Sequence, residues 1–446
     1  MRRMFTALLS CIFFATSLFT IIYLSSDKDS LFKEEMESER SGAMEALDFW
    51  TQARSYPDSD IPTNKFYTAF KSSKTKLREV SNVLSAGSIW DPIGPLNLQG
   101  RTKCVAVNPK NTSVIFVGTA SGGLWKSKTS GLGADWEQVR LGYPALGVSS
   151  IVIDPVDTNI IYIGTGEVYR KNNSVGGLVQ RTTRGSYGIG ILKTTDGGLT
   201  WTKSLDWSYN QRRGVQMLKM NPMNPKTVWA ATTEGAYTTV DGGESWRLAL
   251  GAQMVTDIVI HFSDTNKIMA AFGNFTNSTV VYTIDGGNNW ITSPIQSYTG
   301  KTLLAVYQKN SDIVYASAAD STSGVAGLYR STNFGQNWSL MKSFPTGSMY
   351  GVQGWYSHYV AVHPEDSSII VLNGVGRSKS TNSGITTTTV SSGYSDNHGY
   401  AIDPTNPNIF YAANDDGIYR STNFGSSYTN IGFGMQSGQI YNGFSC

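Results

Sequence analysis

The sequence predicts an all-β fold, a seven-bladed β-propeller with four-stranded antiparallel blades, and two observations carry that expectation. The first is a motif that returns along most of the chain. It reads glycine, two or three apolar or aromatic residues, a Ser/Thr pair, Asp or Asn, one residue, glycine, two residues, then tryptophan. Its cleanest copies are Gly190–Trp201, Gly235–Trp246 and Gly327–Trp338, and Thr279–Trp290 matches from its second residue. Gly376–Thr387 and Gly417–Tyr428 are decayed copies, while Gly123–Trp136 carries two extra residues. The Asp/Asn place falls at Asp196, Asp241, Asp285, Asn333, Asn382 and Asn423, in steps of 45, 44, 48, 49 and 41. Periods of that size built from short strands belong to propeller blades. The second observation is an alternating strand that ends in Asn/Asp-Pro, a polar turn and another strand, as in Val105–Gly118, Ile151–Gly164 and Tyr400–Ala413. Seven such units alternate with seven Asp-turns. One blade therefore reads strand A, an Asn-Pro turn, strand B, a Gly-rich turn, strand C, the Asp-turn, then strand D beginning at the tryptophan.

Taken from the N-terminus, residues 1–26 read as a signal peptide or signal anchor. Arg2 and Arg3 precede an uncharged run from Phe5 to Leu24, long enough as a helix to cross a bilayer core. Either form implies export to the cell surface, periplasm or medium. Residues 27–89 read as a helical spacer, with 20 of 63 residues charged against 47 of 357 from Trp90 onward. Met36, Ala43, Leu47 and Trp50 fall at mostly helical spacing and predict one amphipathic helix ending before Pro57. Pro57, Pro62 and the Ser72–Ser73 region read as a linker with a second short helix. Residues 90–446 form the propeller. Its last stretch, Gly438 to Phe444, resembles either the opening strand of a further blade or a strand that closes the ring.

Composition excludes several classes. A formal charge of +3 over 446 residues is no nucleic-acid signature, because phosphate binding needs a clustered basic face. Cys11, Cys104 and Cys446 form neither a disulfide framework nor a zinc-ligand spacing. The Asp-turns themselves read as structural. An Asp or Asn there can accept bonds from backbone N–H groups two residues on, and the following glycine can take positive φ. The tryptophans Trp201, Trp246, Trp290 and Trp338 are expected at equivalent, largely buried places against the neighbouring hairpin.

Tandem turns of the form S/T-x-D-x-G-x-x-W resemble the Asp-box, or BNR, repeat of sialidases, xyloglucan-cleaving glycosidases, the sortilin ectodomain and photosystem-II assembly propellers. Trp90 to Pro95, Asn97, Gly100-Arg101 and the run Gly118–Ser127 look most like exported bacterial BNR-repeat proteins. The resemblance covers about residues 33–446. It implies the fold; the same repeat serves hydrolases, receptors and assembly factors. Two departures weaken a hydrolase reading. Ala120 stands where the resemblance implies a catalytic Asp of xyloglucan-cleaving enzymes, and the R-I-P tripeptide of sialidases is absent.

Strand alternation places the Asn-Pro and Asp turns on one face and the B–C turns and blade connections on the other, where sequence varies between blades. Three clusters stand out on that second, loop face. The long B–C insertion from Glu167 to Gly188 carries Arg170, Lys171, Arg181 and Arg184, which suits an anionic partner or a solvated flap. Trp207, Tyr209, Arg212 and Arg213 form an aromatic–cationic group or blade packing. His358 and His398 occupy the same place in adjacent blades, with Trp355, Tyr356, Asp396, Asp415 and Asp416 nearby. Two imidazoles and two or three carboxylates could hold a divalent metal or run acid–base chemistry; strand-capping structural histidines are the plain reading. Similar bacterial propellers often carry H-x-D-x-H and N-D-G-G here, and this chain has Tyr394 and Asp416 at two of those places.

The functional expectation is an exported, non-catalytic binding module for protein or polysaccharide. It needs no cofactor, has no nucleic-acid partner, and meets the membrane through its N-terminal segment if that stays uncleaved. The alternatives are a glycoside hydrolase of the Asp-box type, marked by two acids at roughly 5–10 Å across the central cavity, or a membrane-associated assembly factor.

Overall fold

The computed structural model describes residues 49, 52–53, 56–57, 62–81 and 95–438, apart from 146, 170–184, 187, 210–212, 321–322 and 347–352. The chain divides into two units, Pro62–Gln439 and the remainder. In the remainder only a few positions are described, such as the helical Phe49. The N-terminal apolar run, the stretch from Met36 to Leu47, Trp50 and the chain end from Gln439 therefore lie outside the described residues.

Seven four-stranded antiparallel sheets follow one another along the chain. Their A strands are Thr102–Val107, Val148–Ile153, Val215–Met220, Val255–Ile260, Gly300–Val306, Tyr359–Val362 and Asn397–Ile402. Each A strand lies beside that of the next blade, and the seventh lies beside the first. The protein is a seven-bladed propeller around a central channel. Strand B of each blade sits between two other blades, so both its faces are covered. Ile115–Thr119, Ile161–Thr165, Val228–Thr232 and Phe410–Asn414 are accordingly buried at every position, which is why they read as unbroken apolar runs. The D strands, such as Glu137–Val139 and Thr388–Thr389, form the exposed rim.

The Asp-turns close as follows. The Asp196 carboxylate accepts from the Thr194 hydroxyl at 2.6 Å and from the Thr200 amide at 2.9 Å. Asp241 and Asp285 repeat the pattern with Ser245 and Asn289. The amides that bind are four residues on, joined in Asp241 and Asp285 by the one three residues on, and not two. Gly197, Gly242 and Gly286 take positive φ in these turns. In the three copies that carry Asn at the Asp place, Phe334, Ser383 and Phe424 hold that conformation instead, at a cost of about 1 kcal/mol or more each. For the two phenylalanines, packing offsets it. Phe334 lies 5.2 Å from the His261 ring and Phe424 4.5 Å from His363, each on the preceding blade. Those histidines replace the Asn or Asp of the A–B turn, with Nδ1 accepting the Asp264 and Glu365 amides at 3.1 Å.

The tryptophans fasten blade to blade. Trp246, Trp290 and Trp338 donate from Nε1 to Ser204, Ala249 and Ser293, each on or directly after strand D of the blade before. Trp136 of the first blade donates to the Ile431 carbonyl at 2.9 Å, the same relation carried across the seam. Trp201 departs, donating to its own turn at Gly198. Trp136 and Trp201 are buried. Trp246, Trp290 and Trp338 are only half-buried, because strand D stands at the rim with no further strand outside it.

Before the propeller, helix α1 spans Thr63–Ser81. Ser72 and Ser73, expected in a linker, lie in its middle. Tyr67 is buried edge-on against Tyr209, with the Lys203 ammonium 5.0 Å above its ring. Lys74 reaches the Gly142 carbonyl at 2.5 Å. Docking on the blade connections holds the helix in place, as tertiary burial does for most helices. Among the described residues no helix is long and apolar enough to cross a membrane.

Trp136→Ala, which removes a buried ring and the seam bond together, is expected to lower stability by about 3–5 kcal/mol in urea denaturation. The half-buried Trp246→Ala is expected to cost about 2–3 kcal/mol. Asp196→Asn is expected to leave the midpoint at neutral pH nearly unchanged, because Asn333 already makes the same bonds to Ser331 and Asn337. The hydrogen bonds from Thr194 and Thr200 hold the Asp196 carboxyl well below the usual carboxylate range. Its stabilisation is present above the unfolded value near 4 and fades on acidification, so the asparagine variant should show a flatter acid limb.

Candidate functional site

The loop-face end of the channel gathers side chains from five blades. Arg101 and Lys103 bracket the start of the first A strand, two residues apart, and so face the channel together. Thr102 between them points into the sheet, where it is fully buried and hydrogen-bonded to Asn414 and Gly417 of the seventh blade. Glu167 and Tyr169 come from just beyond strand B of the second blade. Asn274 and Phe275 follow strand B of the fourth, and Trp355 and Tyr356 precede strand A of the sixth. His398 and Asp415 come from the seventh.

These groups form one bonded circuit. Arg101 donates from Nη1 to both Glu167 oxygens at 3.1 Å and from Nε to Asp415 Oδ1 at 3.0 Å. Lys103 donates to the Tyr169 hydroxyl at 2.5 Å and to His398 Nδ1 at 3.1 Å, with Glu167 3.4 Å away. The opposite nitrogen of His398 then carries the proton and donates to Asp415 at 2.7 Å. Tyr356 donates to both oxygens of Asp415 at 2.9 Å, and Tyr169 to Glu167 at 2.6 Å. Asn274 ties the peptide carbonyls of Tyr169 and Trp355 from the fourth blade, at 2.8 and 3.0 Å. Over the circuit lies an aromatic layer. Trp355 sits 5.4 Å from Tyr169, 5.3 Å from Tyr356 and 5.1 Å from Phe275, ring to ring.

The electrostatics follow from burial and pairing. Burial opposes ionisation of Glu167, yet the Lys103 and Arg101 charges and the Tyr169 hydroxyl keep its carboxyl below the usual range. Burial opposes Asp415 likewise. The His398 hydrogen bond, the Arg101 charge and Tyr356 hold it well below. Burial pushes the His398 imidazole down to about 3, and the Lys103 charge adds to this. The circuit thus holds two carboxylates, two cations and a neutral imidazole. It is charge-balanced and sealed.

The remaining site residues expected from sequence fall apart. The His358 ring is fully buried and faces the carbonyls of Gly354 and Ser317 at 2.8 and 3.1 Å. It does not converge with His398. Asp396, at φ +58°, accepts from the Ser357 hydroxyl. Asp416 turns outward to Tyr419 and Asn430 on its own blade. A divalent metal is the alternative raised for these donors. Among the described residues no three His, Cys, Asp or Glu side chains converge to hold one, and Asp415 is already taken by Arg101, His398 and Tyr356. Arg213 packs over the buried Trp207 at 5.5 Å, with Glu234 3.9 Å away. Arg181, Arg184 and Arg212 lie outside the described residues. Sequence reasoning missed Lys103 and Tyr169 and saw Arg101 only within a motif. Arg101 and Lys103 at i and i+2 on a strand start were the available signal.

No protein-family model matches the chain. A probable oligoxyloglucan-reducing end-specific xyloglucanase of Neosartorya fischeri is 24% identical over 194 residues, 41% of this chain and 21% of that protein. Among solved structures, the GH74 xyloglucanase of Xanthomonas campestris superposes with a TM-score of 0.56 at 15% identity, covering 74% of this chain and 53% of that one. An ancestral GH74 enzyme gives 0.56 at 16%, covering 77% and 47%. YCF48 of Cyanidioschyzon merolae gives 0.50 at 13%, covering 73% and 96%. These likenesses share the propeller fold. The chain spans about a fifth of the curated relative and about half of the xyloglucanase structures.

Burial holds the imidazoles of His358 and His398 down to about 3, against about 6.5 for a free imidazole. The unfolded chain takes up more protons between those values, so stability falls as pH drops through 6.5 towards 3. The limiting slope is about 1.4 kcal/mol per pH unit for each imidazole. Urea midpoints are expected to decline from pH 6.5 to 5, where ordinary carboxylates remain ionised; a flat profile would rule out neutral buried imidazoles.

Proposed function

We propose that this chain is an exported, non-catalytic binding propeller that takes a polysaccharide on its loop face, over Trp355 and Phe275. The observation that carries this reading is the engagement of Glu167 and Asp415, the two carboxylates at that end of the channel. Hydrolysis by paired acids needs one protonated carboxyl and one carboxylate open to the sugar, about 5–10 Å apart. Here Arg101 bridges both acids, both are held ionised, and each also accepts from a phenol, Glu167 from Tyr169 and Asp415 from Tyr356. Ala120 in the first-blade turn removes a further acid. The half-buried rings of Trp355 and Phe275 offer the kind of apolar, aromatic lining on which a sugar ring packs. The fold likeness to xyloglucanases supports a glycan as the ligand class.

A second reading, glycoside hydrolysis, is favoured by one observation: the 24% identity over 194 residues to a probable oligoxyloglucan-reducing end-specific xyloglucanase.

The two separate in one experiment. Xyloglucan oligosaccharides and a glycan array are titrated against the chain, with reducing-end release assayed in parallel. Binding without release is expected, and Trp355→Ala should weaken it at least tenfold while the melting temperature moves little. Release of reducing ends by the chain alone would reject the non-catalytic reading.

A further inference from the structure

On the far side of the ion-pair circuit the channel widens into a cavity of about 260 Å3 lined by Lys103, Lys219, Lys301, Asp257 and Tyr400, among others. Its wall continues through Lys219, Met220, Leu304 and Tyr400 into a mouth between Pro222, Pro364 and Ile402. That mouth lies on the face of the Asn-Pro turns, opposite the loop face. The channel is therefore a pit, closed above by the Arg101–Glu167–Asp415 circuit and open below.

The charges in the pit do not balance. Lys103 is satisfied by Glu167, Tyr169 and His398. The ammonium groups of Lys219 and Lys301 make no hydrogen bond or ion pair within 4 Å among the described residues, and the one carboxylate whose charge acts on both is Asp257. The carboxylate nearest them, Asp257, is spent on the backbone. It accepts the Ile258 amide at 2.8 Å and, across the blade interface, the Leu304 amide at 2.9 Å. Ser150 does the same between the second and third blades, accepting the Leu218 amide at 2.8 Å. Asp257 is thus a blade-to-blade tie, and burial drives its carboxyl towards the neutral form. The hydroxyls of Ser149 and Thr256 are likewise given to the Val215 and Thr302 carbonyls. Among the described residues these polar groups are used, and two cations are left over. Like charges that line one cavity repel each other, and a counter-charge bound between them relieves that repulsion.

We propose that this pit binds a small tetrahedral oxyanion, of the size and charge of phosphate or sulfate, through Lys301 and Lys219, with entry from the Asn-Pro-turn face. The site is separate from the loop-face surface and does not depend on what binds there. Lys301 is faced by Lys103 from the first blade, Lys219 from the third, Asp257 from the fourth, His358 from the sixth and Tyr400 and His398 from the seventh. Burial and the Lys103 charge bring its ammonium down to about 7, with Asp257 opposing. The site should therefore hold an anion more tightly below that pH.

The test is thermal unfolding of the full chain at constant ionic strength, with chloride replaced stepwise by low-millimolar sulfate, whose charge is the same at pH 6.5 and 8.5. A rise in melting temperature is expected, larger at pH 6.5. Lys301→Gln and Lys219→Gln should each weaken the apparent affinity at least tenfold. Lys301→Gln should also melt higher than the parent in chloride alone at pH 6.5, since a cation that Lys103 repels is gone. Lys226→Gln, at an exposed lysine, should behave as the parent does. Inorganic phosphate should reproduce the sulfate effect and acetate should not. A sulfate increment that survives both substitutions would be general salting and would overturn the proposal, as would no increment at either pH.

Discussion

The ring has to be joined at one seam, and the rest of the molecule depends on how that is done. Each blade is a contiguous stretch of chain, and among the described residues no sheet takes a strand from the far end. Side chains and short segments therefore hold the seventh blade to the first. Trp136 binds the Ile431 carbonyl, Thr102 binds the backbone at Asn414 and Gly417, and the Gly434 amide binds the Leu96 carbonyl. Val105, Ile115 and Val117 pack there against Tyr411, Ala413 and Ile418. Arg101 stands at the same seam and bridges Asp415 to Glu167. Closing the ring and sealing one end of the channel are the same act.

That seal divides the molecule electrostatically. At the loop end each charge of the circuit has a partner in the protein, and the aromatic layer of Trp355 and Phe275 packs beside it. At the turn end the lysines outnumber the available carboxylates, and Asp257 has been drawn off to hold neighbouring A strands together. Two ends of one channel thus have opposite characters, because strand alternation aims different residues of the same A strands at each.

The Asp-boxes show how much of the architecture was legible. The period, the blade count and the turn chemistry follow from residues within a dozen positions of one another, and the seven sheets match them. The details that differ have a common cause. Asp196 binds an amide four residues on because the turn is wider than a simple Asx-turn. Three of the tryptophans are half-buried because strand D has no outer neighbour. His261 and His363 stand in for turn Asn or Asp, which no residue-type pattern would identify. Helix α1 runs through Ser72 and Ser73 because docking on Tyr209, Lys203 and Gly142 outweighs local propensity.

The site was legible only in fragments. Glu167, His398 and Asp415 stood out in the sequence, and so did His358 and Asp396, which belong to other surroundings. What sorts them is contact between residues far apart in the chain: Arg101 and Asp415 are 314 positions apart, Arg101 and Glu167 are 66. By itself the sequence determined the repeating blade, since a turn, its glycines and the strands beside it interact over short chain distances. Which charges would meet, which end of the channel would close, and which lysines would be left without partners were decided by the tertiary structure. Those outcomes depend on seven A strands being brought around one axis, and the field at any channel residue is the sum over all of them.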